Sequence, residues 1–203
     1  QILFIRQLGM TIILAPVLIK TFPGSFKSGQ SHLQFLRIFL ALIAMVFGFT
    51  SVINMPMADA TAIAFAKSLF VTIFAVLFLK ETVGLYRWSA VVVGFLGVLV
   101  MLRPSAEGYS VYAFMALGAA ASAGMVMVII RQLSRTDPPS TILAYQAIGV
   151  GLVMAVPAYI QWIPPTATEW ALLAGIAFVS YFAQKANIYA FSYGEASLLA
   201  SLD

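Results

Sequence analysis

Long apolar runs follow one another along the chain, separated by short polar interruptions. Seven runs have the roughly 20 residues that an α-helix needs to cross a hydrocarbon core about 30 Å thick. They cover residues 2–20, 35–55, 60–79, 85–102, 109–130, 140–160 and 170–191, and an eighth begins near Ala196. The runs lack the alternation of polar and apolar residues that is typical of membrane β-barrels. The pattern therefore predicts an all-α, polytopic transmembrane helix bundle.

The interruptions between the runs contain the residues that usually end helices. Proline or glycine occurs in these interruptions, for example at Pro23–Gly24, Pro104, Pro138–Pro139 and Pro164–Pro165. None is long enough for a soluble domain. Gln1 opens directly into an apolar run, and Asp203 follows shortly after another run begins. We therefore expect the chain to be a fragment of a longer membrane protein.

Composition agrees with a lipid environment. Hydrophobic residues make up 62% of the chain and charged residues 9%, with a mean hydropathy of +1.00, whereas soluble domains carry about 25% charged residues. The chain has no cysteine, which excludes disulfides and thiolate metal sites. The positive charges are scattered singly between the apolar runs and form no basic patch, which argues against a nucleic-acid partner. Membrane lipid is the expected surrounding, and no metal or cofactor is predicted.

The positive charges predict an orientation in the membrane. We assign seven of them to alternate polar segments on one side, namely Lys20, Lys27, Arg37, Lys80, Arg87, Arg131 and Arg135, and one, Arg103, to the other. Cytoplasmic loops of membrane proteins carry the excess of Lys and Arg. The side with seven charges is therefore predicted to be cytoplasmic, in the inner membrane of a bacterial cell.

Lys67 is the most informative residue of the chain, because it lies near the middle of the apolar run 60–79. A charge at that depth costs a few kcal/mol at least, and such residues usually face a bundle interior or a water-filled cavity. We therefore predict that Lys67 lines a cavity, where its ammonium group would attract an anionic or carboxylate-bearing solute. The alternative is a buried ion pair with another helix.

Two other helices contain candidate cations. Lys185 shares one face of its predicted helix with Tyr181, Gln184 and Ile188, which are spaced at i, i+3, i+4 and i+7. We expect this face to point inward and Lys185 to bind solute, with snorkelling to the interface as the alternative. Arg6 lies near the outer end of the first run, where either cavity lining or interface anchoring is expected.

A polar face on the second predicted helix adds further candidates. Phe47, Thr50, Ser51 and Asn54 share this face. Phe47, Thr50 and Asn54 are predicted to contact solute, and hydrogen bonding between helices is the alternative. Asp59 and Glu195 lie just before apolar runs, where helix capping explains them. Small residues spaced along 118–124 predict close helix packing, and a homodimer is compatible with them.

A short motif occurs twice. The segment 58–61, Ala-Asp-Ala-Thr, corresponds to the segment 194–197, Gly-Glu-Ala-Ser, and both lie between two apolar runs. Five predicted helices separate the copies, so the copies face opposite sides of the membrane. Such an inverted-topology repeat is common in secondary transporters.

The chain resembles the EamA-type members of the drug/metabolite transporter superfamily. The resemblance rests on segments 57–63 (Met-Ala-Asp-Ala-Thr-Ala-Ile), 69–72 (Leu-Phe-Val-Thr), 78–81 (Phe-Leu-Lys-Glu) and 94–98 (Gly-Phe-Leu-Gly-Val), with Trp88 and Arg103–Pro104. It implies ten helices in two inverted five-helix repeats (5+5). Residues 1–102 would then be four helices of the first repeat, and residues 103–203 three helices and the start of a fourth from the second. Relatives often carry proline where this chain has Ser68. The resemblance therefore leaves open whether the helix is kinked at this position.

The function predicted from these observations is secondary transport by alternating access. The solute would be a small anionic or zwitterionic metabolite, and the resemblance is compatible with amino acids, nucleosides, vitamins such as riboflavin, and S-adenosylmethionine. Arg6, Lys67 and Lys185 would hold its acidic group, while Tyr181 and Phe47 would flank an apolar part. A non-transporting membrane subunit or receptor-like bundle is the alternative. No catalytic residues are predicted, because the signatures of metal and phosphate enzymes are missing, and the chain is not expected to be an enzyme.

Overall fold

The computed structural model describes residues 1–21, 28–102 and 111–193. Every regular element in these ranges is helical. The helices are α1 (Ile2–Thr21), α2 (Ser31–Asn54), α3 (Met57–Ala64), α4 (Ala66–Phe74) with a π-helical turn at Ala75–Leu79, α5 (Leu85–Leu102), α6 (Val111–Leu133), α7 (Pro139–Ile160) and α8 (Ala167–Tyr193).

The seven predicted runs correspond to these helices, with α3, α4 and the π-helical turn together forming the third run. Among the described residues, six spans are long and apolar enough to cross a membrane, and α5 contributes a shorter apolar stretch, Trp88–Gly97. This confirms the predicted all-α, polytopic architecture. The predicted eighth helix and Glu195 lie outside the described residues.

The third span is interrupted in its middle. α3 ends at Ala64 and α4 begins at Ala66, with Phe65 between them. The Ser68 N–H donates to the Phe65 carbonyl at 3.2 Å, a bond to the third residue back, where an α-helix would bond to the fourth. The Ser68 hydroxyl donates to the same carbonyl at 2.9 Å. The hydrogen-bond ladder is thus interrupted at this point although no proline is present, while Phe65 keeps right-handed helical dihedral angles (φ −62°, ψ −19°).

Large apolar side chains cover much of the surface. Ile19, Ile53 and Leu85 are each more than three-quarters exposed. Extended apolar surface of this kind is rare on water-soluble monomers. These side chains are suited to contact with lipid, which agrees with the membrane-spanning length of the helices.

The first compact unit contains Gln1–Ile38 and Leu133–Tyr193. Within it, α1 packs along both α7 and α8. A Cβ atom built on Gly9 would lie 2.5 Å from the Ala177 side chain, and one built on Gly149 would lie 2.4 Å from Ile38. The helices can pack this closely at these two points because glycine has no Cβ atom, and such glycine contacts are common between the helices of membrane proteins.

The second compact unit contains Phe39–Gln132 among the described residues. Its central helix is α6, whose small residues contact both α2 and α4. Gly118 lies against the Phe47 ring, and Ala120 packs with Ala66. A Cβ atom on Gly94 of α5 would lie 2.8 Å from Leu69. The predicted role of the small residues along 118–124 in helix packing is confirmed.

One charge lies elsewhere than the sequence analysis assigned it. Arg37, expected in a cytoplasmic loop, lies inside α2 and is 1% exposed. Its guanidinium group is buried because it hydrogen-bonds to α7, as described below. Removing it leaves six positive residues assigned to the cytoplasmic side against one on the other, so the predicted orientation is unchanged.

The orientation can be tested by single-cysteine labelling, because the chain has no cysteine of its own. Ser31 and Ala58 are exposed; Ser31 begins α2, and Ala58 lies in the first turn of α3, four residues after α2 ends. In intact cells, a membrane-impermeant maleimide is expected to label Ala58→Cys and to label Ser31→Cys only after permeabilisation. The reverse pattern would contradict the orientation, and the cysteine-free parent measures the background.

Candidate functional site

Lys67 lies close to the centre of the interrupted third span, Met57–Leu79. It is ten residues from the start of this span and twelve from its end. At 1.5 Å per helical residue, either end is therefore more than about 10 Å away. The side chain is half-buried and follows the break at Phe65 by two residues. The predicted depth of Lys67 is thus observed, next to a break in the helix.

Helix α6 holds the backbone of Lys67 in place. A Cβ atom on Gly124 would lie 3.2 Å from the Lys67 carbonyl oxygen and 2.9 Å from the Phe70 Cβ atom. Only glycine allows the two helix backbones to approach this closely. The position of Lys67 therefore depends directly on Gly124.

An open groove of about 420 Å³ adjoins the break. It is lined by Ala62, Phe65, Ala66, Ser68, Leu69, Gly94 and Gly97. Its volume is in the range of small-molecule sites, but its lining is apolar except for Ser68. The groove can accommodate an apolar group and offers little to a charged one.

The polar face of α2 forms hydrogen bonds within its own helix. The Thr50 hydroxyl donates to the Val46 carbonyl at 2.7 Å, and the Asn54 amide donates to the Thr50 carbonyl at 2.8 Å. These bonds satisfy the polar groups without a partner helix, so the alternative of bonds between helices does not describe them. The Phe47 ring packs against Gly118. Solute contact by Phe47, Thr50 and Asn54 stays a prediction.

In the first unit, α8 presents the expected group of residues. Tyr181 is buried and Ile188 is fully buried, while Gln184 and Lys185 are half-buried. The Lys185 Nζ atom lies 6.0 Å from the centre of the Tyr181 ring, at the outer limit for a cation–π interaction. The ammonium group and the aromatic ring can therefore act on the same ligand.

Arg6 of α1 is half-buried, and its buried Nε atom has no hydrogen-bond partner within residues 1–21, 28–102 and 111–193. The neighbouring Gln7 is 0% exposed, and both of its amide atoms lack a partner in the same ranges. The sequence analysis missed Gln7. The sequence did contain a sign of it, because a glutamine stands out in an apolar run. The burial of Gln7 and the identity of its neighbours, however, follow only from the packing of α1 against other helices.

Arg6 and Lys185 do not come together. Helices α1 and α8 run in parallel, with Gly9 opposite Ala177. Arg6 lies three residues before this contact and Lys185 eight residues after it. At 1.5 Å per residue, about 16 Å separates their levels along the helices. The two cations therefore cannot bind one carboxylate at the same time in this conformation.

The remaining acidic candidate has no site geometry. Asp59 is exposed in the first turn of α3, and α3 has no side-chain cap. Throughout the described part of the chain, no three His, Asp or Glu residues approach one another closely enough to hold a metal ion. The candidate residues thus provide cations, amides and aromatic rings, which suit an organic solute.

Comparison with known families decides the class of this bundle. The sequence profile of the EamA-like transporter family matches residues 1–103, which is half of the chain. The chain belongs to the EamA-like transporter family. With its apolar helices, this makes it a multi-pass protein of the cell membrane.

Curated relatives of this EamA protein carry the names of transporters. A riboflavin transporter of Vibrio cholerae is 30% identical over 184 residues, covering 88% of this chain and 61% of the relative. An S-adenosylmethionine uptake transporter of Rickettsia prowazekii is 29% identical, covering 92% and 65%. The pseudopaline exporter CntI of Pseudomonas aeruginosa is 33% identical, covering 79% and 57%. The chain thus spans about three-fifths of the length of these relatives.

A solved crystal structure supports the fold of the EamA protein. It matches with a TM-score of 0.71 and 16% sequence identity, covering 99% of this chain and 72% of the other. At this identity the likeness concerns the fold alone. The all-helical fold described above therefore resembles that of a solved protein.

Proposed function

We propose that the EamA protein is a secondary transporter that moves a small anionic or zwitterionic metabolite across the cell membrane by alternating access. The observation that carries the proposal is Lys67, a cation at mid-membrane depth beside a break in its helix. Secondary transporters commonly place their solute sites near the membrane midplane at such discontinuous helices. The ammonium group would bind an acidic group of the solute.

The names of the relatives support transport without fixing its direction. One relative is named a transporter of riboflavin, without a direction, and one is named an uptake transporter of S-adenosylmethionine. A third is named an exporter of pseudopaline. Since these names belong to proteins longer than this chain, we infer only that the solute is a small organic metabolite.

The candidate residues are proposed to act in two sets. Lys67, Phe47, Thr50 and Asn54 belong to the second unit, and Arg6, Tyr181, Gln184 and Lys185 belong to the first. Because Arg6 is distant from Lys185 along the helices, we assign Arg6 to a different stage of solute passage. Tyr181 would stack on an apolar or aromatic part while Lys185 binds an acidic one.

Other parts of the proposal concern organisation and partners. We propose that residues 1–102 and 103–203 are parts of two inverted repeats, that lipid covers the exposed apolar side chains, and that this exposed surface is compatible with a homodimer. The protein is proposed to lack catalytic activity, since its relatives carry transporter names. A non-transporting subunit is disfavoured for the same reason.

A solute-binding screen tests the proposed substrate class. Thermal unfolding in detergent would be measured with acidic, zwitterionic and cationic metabolites. A ligand at 100 times its Kd stabilises the folded state by about 2.7 kcal/mol, which raises the unfolding temperature measurably. We expect acidic or zwitterionic compounds to give the shift. A shift confined to cationic compounds would contradict the proposed substrate class.

A further inference from the structure

The first unit contains a buried cation to which the proposed solute sites assign no role. The Arg37 guanidinium group donates to the Ile142 carbonyl at 2.8 Å and to the Gln146 Oε1 atom. Gln146 is 5% exposed. Both partners belong to α7 and neither is charged. Arg37 therefore ties the first half of α2 to the first half of α7, and no carboxylate of the described residues is in direct contact with it.

A buried anion lies one turn away in the same seam. Asp137 is 4% exposed and precedes α7. It accepts hydrogen bonds from the Gly29 N–H at 3.0 Å, the Gln34 amide at 2.9 Å and the Ser28 hydroxyl. All three donors lie at or before the start of α2. The aspartate therefore fastens the start of α2 to the start of α7.

Gln34 and Arg37 lie three residues apart on α2 and so share a face, which places the two groups of hydrogen bonds next to each other. The Gln34 Oε1 atom and the Arg37 Nε atom are buried, and neither has a partner in the described ranges. Ser28, Gln34 and Asp137 thus form one polar cluster, and Arg37 and Gln146 form a second one beside it. Both clusters are incompletely hydrogen-bonded in this conformation.

We propose that these residues, Ser28, Gln34, Arg37, Asp137 and Gln146, form a lock that closes one end of the α2–α7 seam and opens during transport. The proposal rests on the transport function proposed above. Buried charge networks are seldom more stable than apolar packing of the same volume. Their use is in separating alternative arrangements, and the two unsatisfied atoms indicate that this one exchanges partners.

Helix α7 offers two buried positions for a test. Thr141 lies beside the lock and is 0% exposed, and Ala158 lies near the opposite end of α7 and is 2% exposed. Each would be replaced by cysteine in the otherwise cysteine-free protein. The rate of modification by a small water-soluble thiol reagent would then be measured in membrane vesicles. Asp137→Asn keeps the size of the side chain and removes its charge.

We expect Asp137→Asn to raise the modification rate of Thr141→Cys by about tenfold, because charge-assisted hydrogen bonds to the aspartate are lost. The modification rate of Ala158→Cys should stay the same or fall. A larger population of the state that is open at the Thr141 end means a smaller population of the state that is open at the Ala158 end. Simple destabilisation would raise both rates. Glu169→Gln is the control, because Glu169 is an exposed carboxylate whose hydrogen bonds, within the described part of the chain, come from Thr166.

An unchanged rate at Thr141→Cys, or equal increases at both positions, would overturn the lock. If Asp137→Asn does not fold, Ser28→Ala removes a single bond and is expected to raise the Thr141→Cys rate about two- to threefold. Solute flux would be measured on the same vesicles. Absence of flux from the unmodified protein would count against the proposed function, whereas the labelling rates would still decide whether the lock exists.

Discussion

Replacing Lys67 with alanine is expected to reduce solute flux about 10- to 100-fold, while the amount of protein in the membrane stays the same. Loss of a hydrogen bond to a charged group costs about 1.5–3 kcal/mol, which corresponds to this range. Insertion should not suffer, since removing a charge from the middle of the Met57–Leu79 span favours the membrane. Flux into vesicles and quantitative immunoblotting measure the two effects.

Two matched variants make the result specific to the position of the charge. Lys20→Ala removes an exposed lysine from the last turn of α1 and should leave flux unchanged. Lys67→Arg keeps the charge and should retain more flux than alanine. Wild-type flux from Lys67→Ala would refute the assigned role of this residue, and equal losses in Lys20→Ala would point to a general charge effect.

Replacing Gly124 with alanine is expected to destabilise the protein by about 1–3 kcal/mol, the usual cost of overpacking. The added methyl group would lie 3.2 Å from both the Lys67 carbonyl oxygen and the Val71 nitrogen. These are backbone atoms of α4, which cannot rotate away as a side chain could. We therefore expect a lower unfolding temperature in detergent and, since Lys67 is displaced, lower flux. Valine at this position should have a larger effect.

Gly97→Ala is the matched control for overpacking. No atom of the described residues lies within 4 Å of a Cβ atom built on Gly97, and alanine favours a helix over glycine by about 1 kcal/mol. The unfolding temperature should therefore stay the same or rise slightly. A loss at Gly97 equal to that at Gly124 would show that the helices tolerate no added methyl group anywhere, and the contact with α4 would not be the reason.

The positions of the helices could be predicted because lipid imposes a simple condition on the sequence. A spanning helix needs about 20 apolar residues, and its ends are marked by proline, glycine and charge. The predicted run 140–160, for example, corresponds to α7 at Pro139–Ile160. The depth of Lys67 followed from the same counting.

The break at Phe65 was harder to anticipate. Sharp breaks usually occur at proline, glycine or serine, or where the hydrogen-bond ladder is disturbed. Residues 60–74 contain neither proline nor glycine, so the local sequence does not require a break. The interruption instead coincides with close packing of α4 on Gly124 and Ala120, which depends on a helix more than 50 residues away in the chain.

Arg37, Asp137 and Gln7 show where the sequence pattern was insufficient. Arg37 and Asp137 lie close to polar segments, so solvated loop positions were the natural interpretation. Their burial arises from the pairing of α2 with α7, which joins residues about a hundred positions apart. Gln7 carries no charge and disturbs the apolar run only slightly. Periodicity identifies a helix face, but it does not identify the helix that covers it.

The interruption between α3 and α4 also bears on the mechanics of the third span. Bending a continuous helix sharply requires backbone hydrogen bonds to be stretched or broken, whereas here the ladder already changes register at Phe65. Phe65 is therefore the point of the third span at which the angle between α3 and α4 can change with fewer α-helical hydrogen bonds to break, so we take it as the pivot. Lys67 lies two residues beyond this pivot, so a small tilt of α4 would redirect its ammonium group without moving α3.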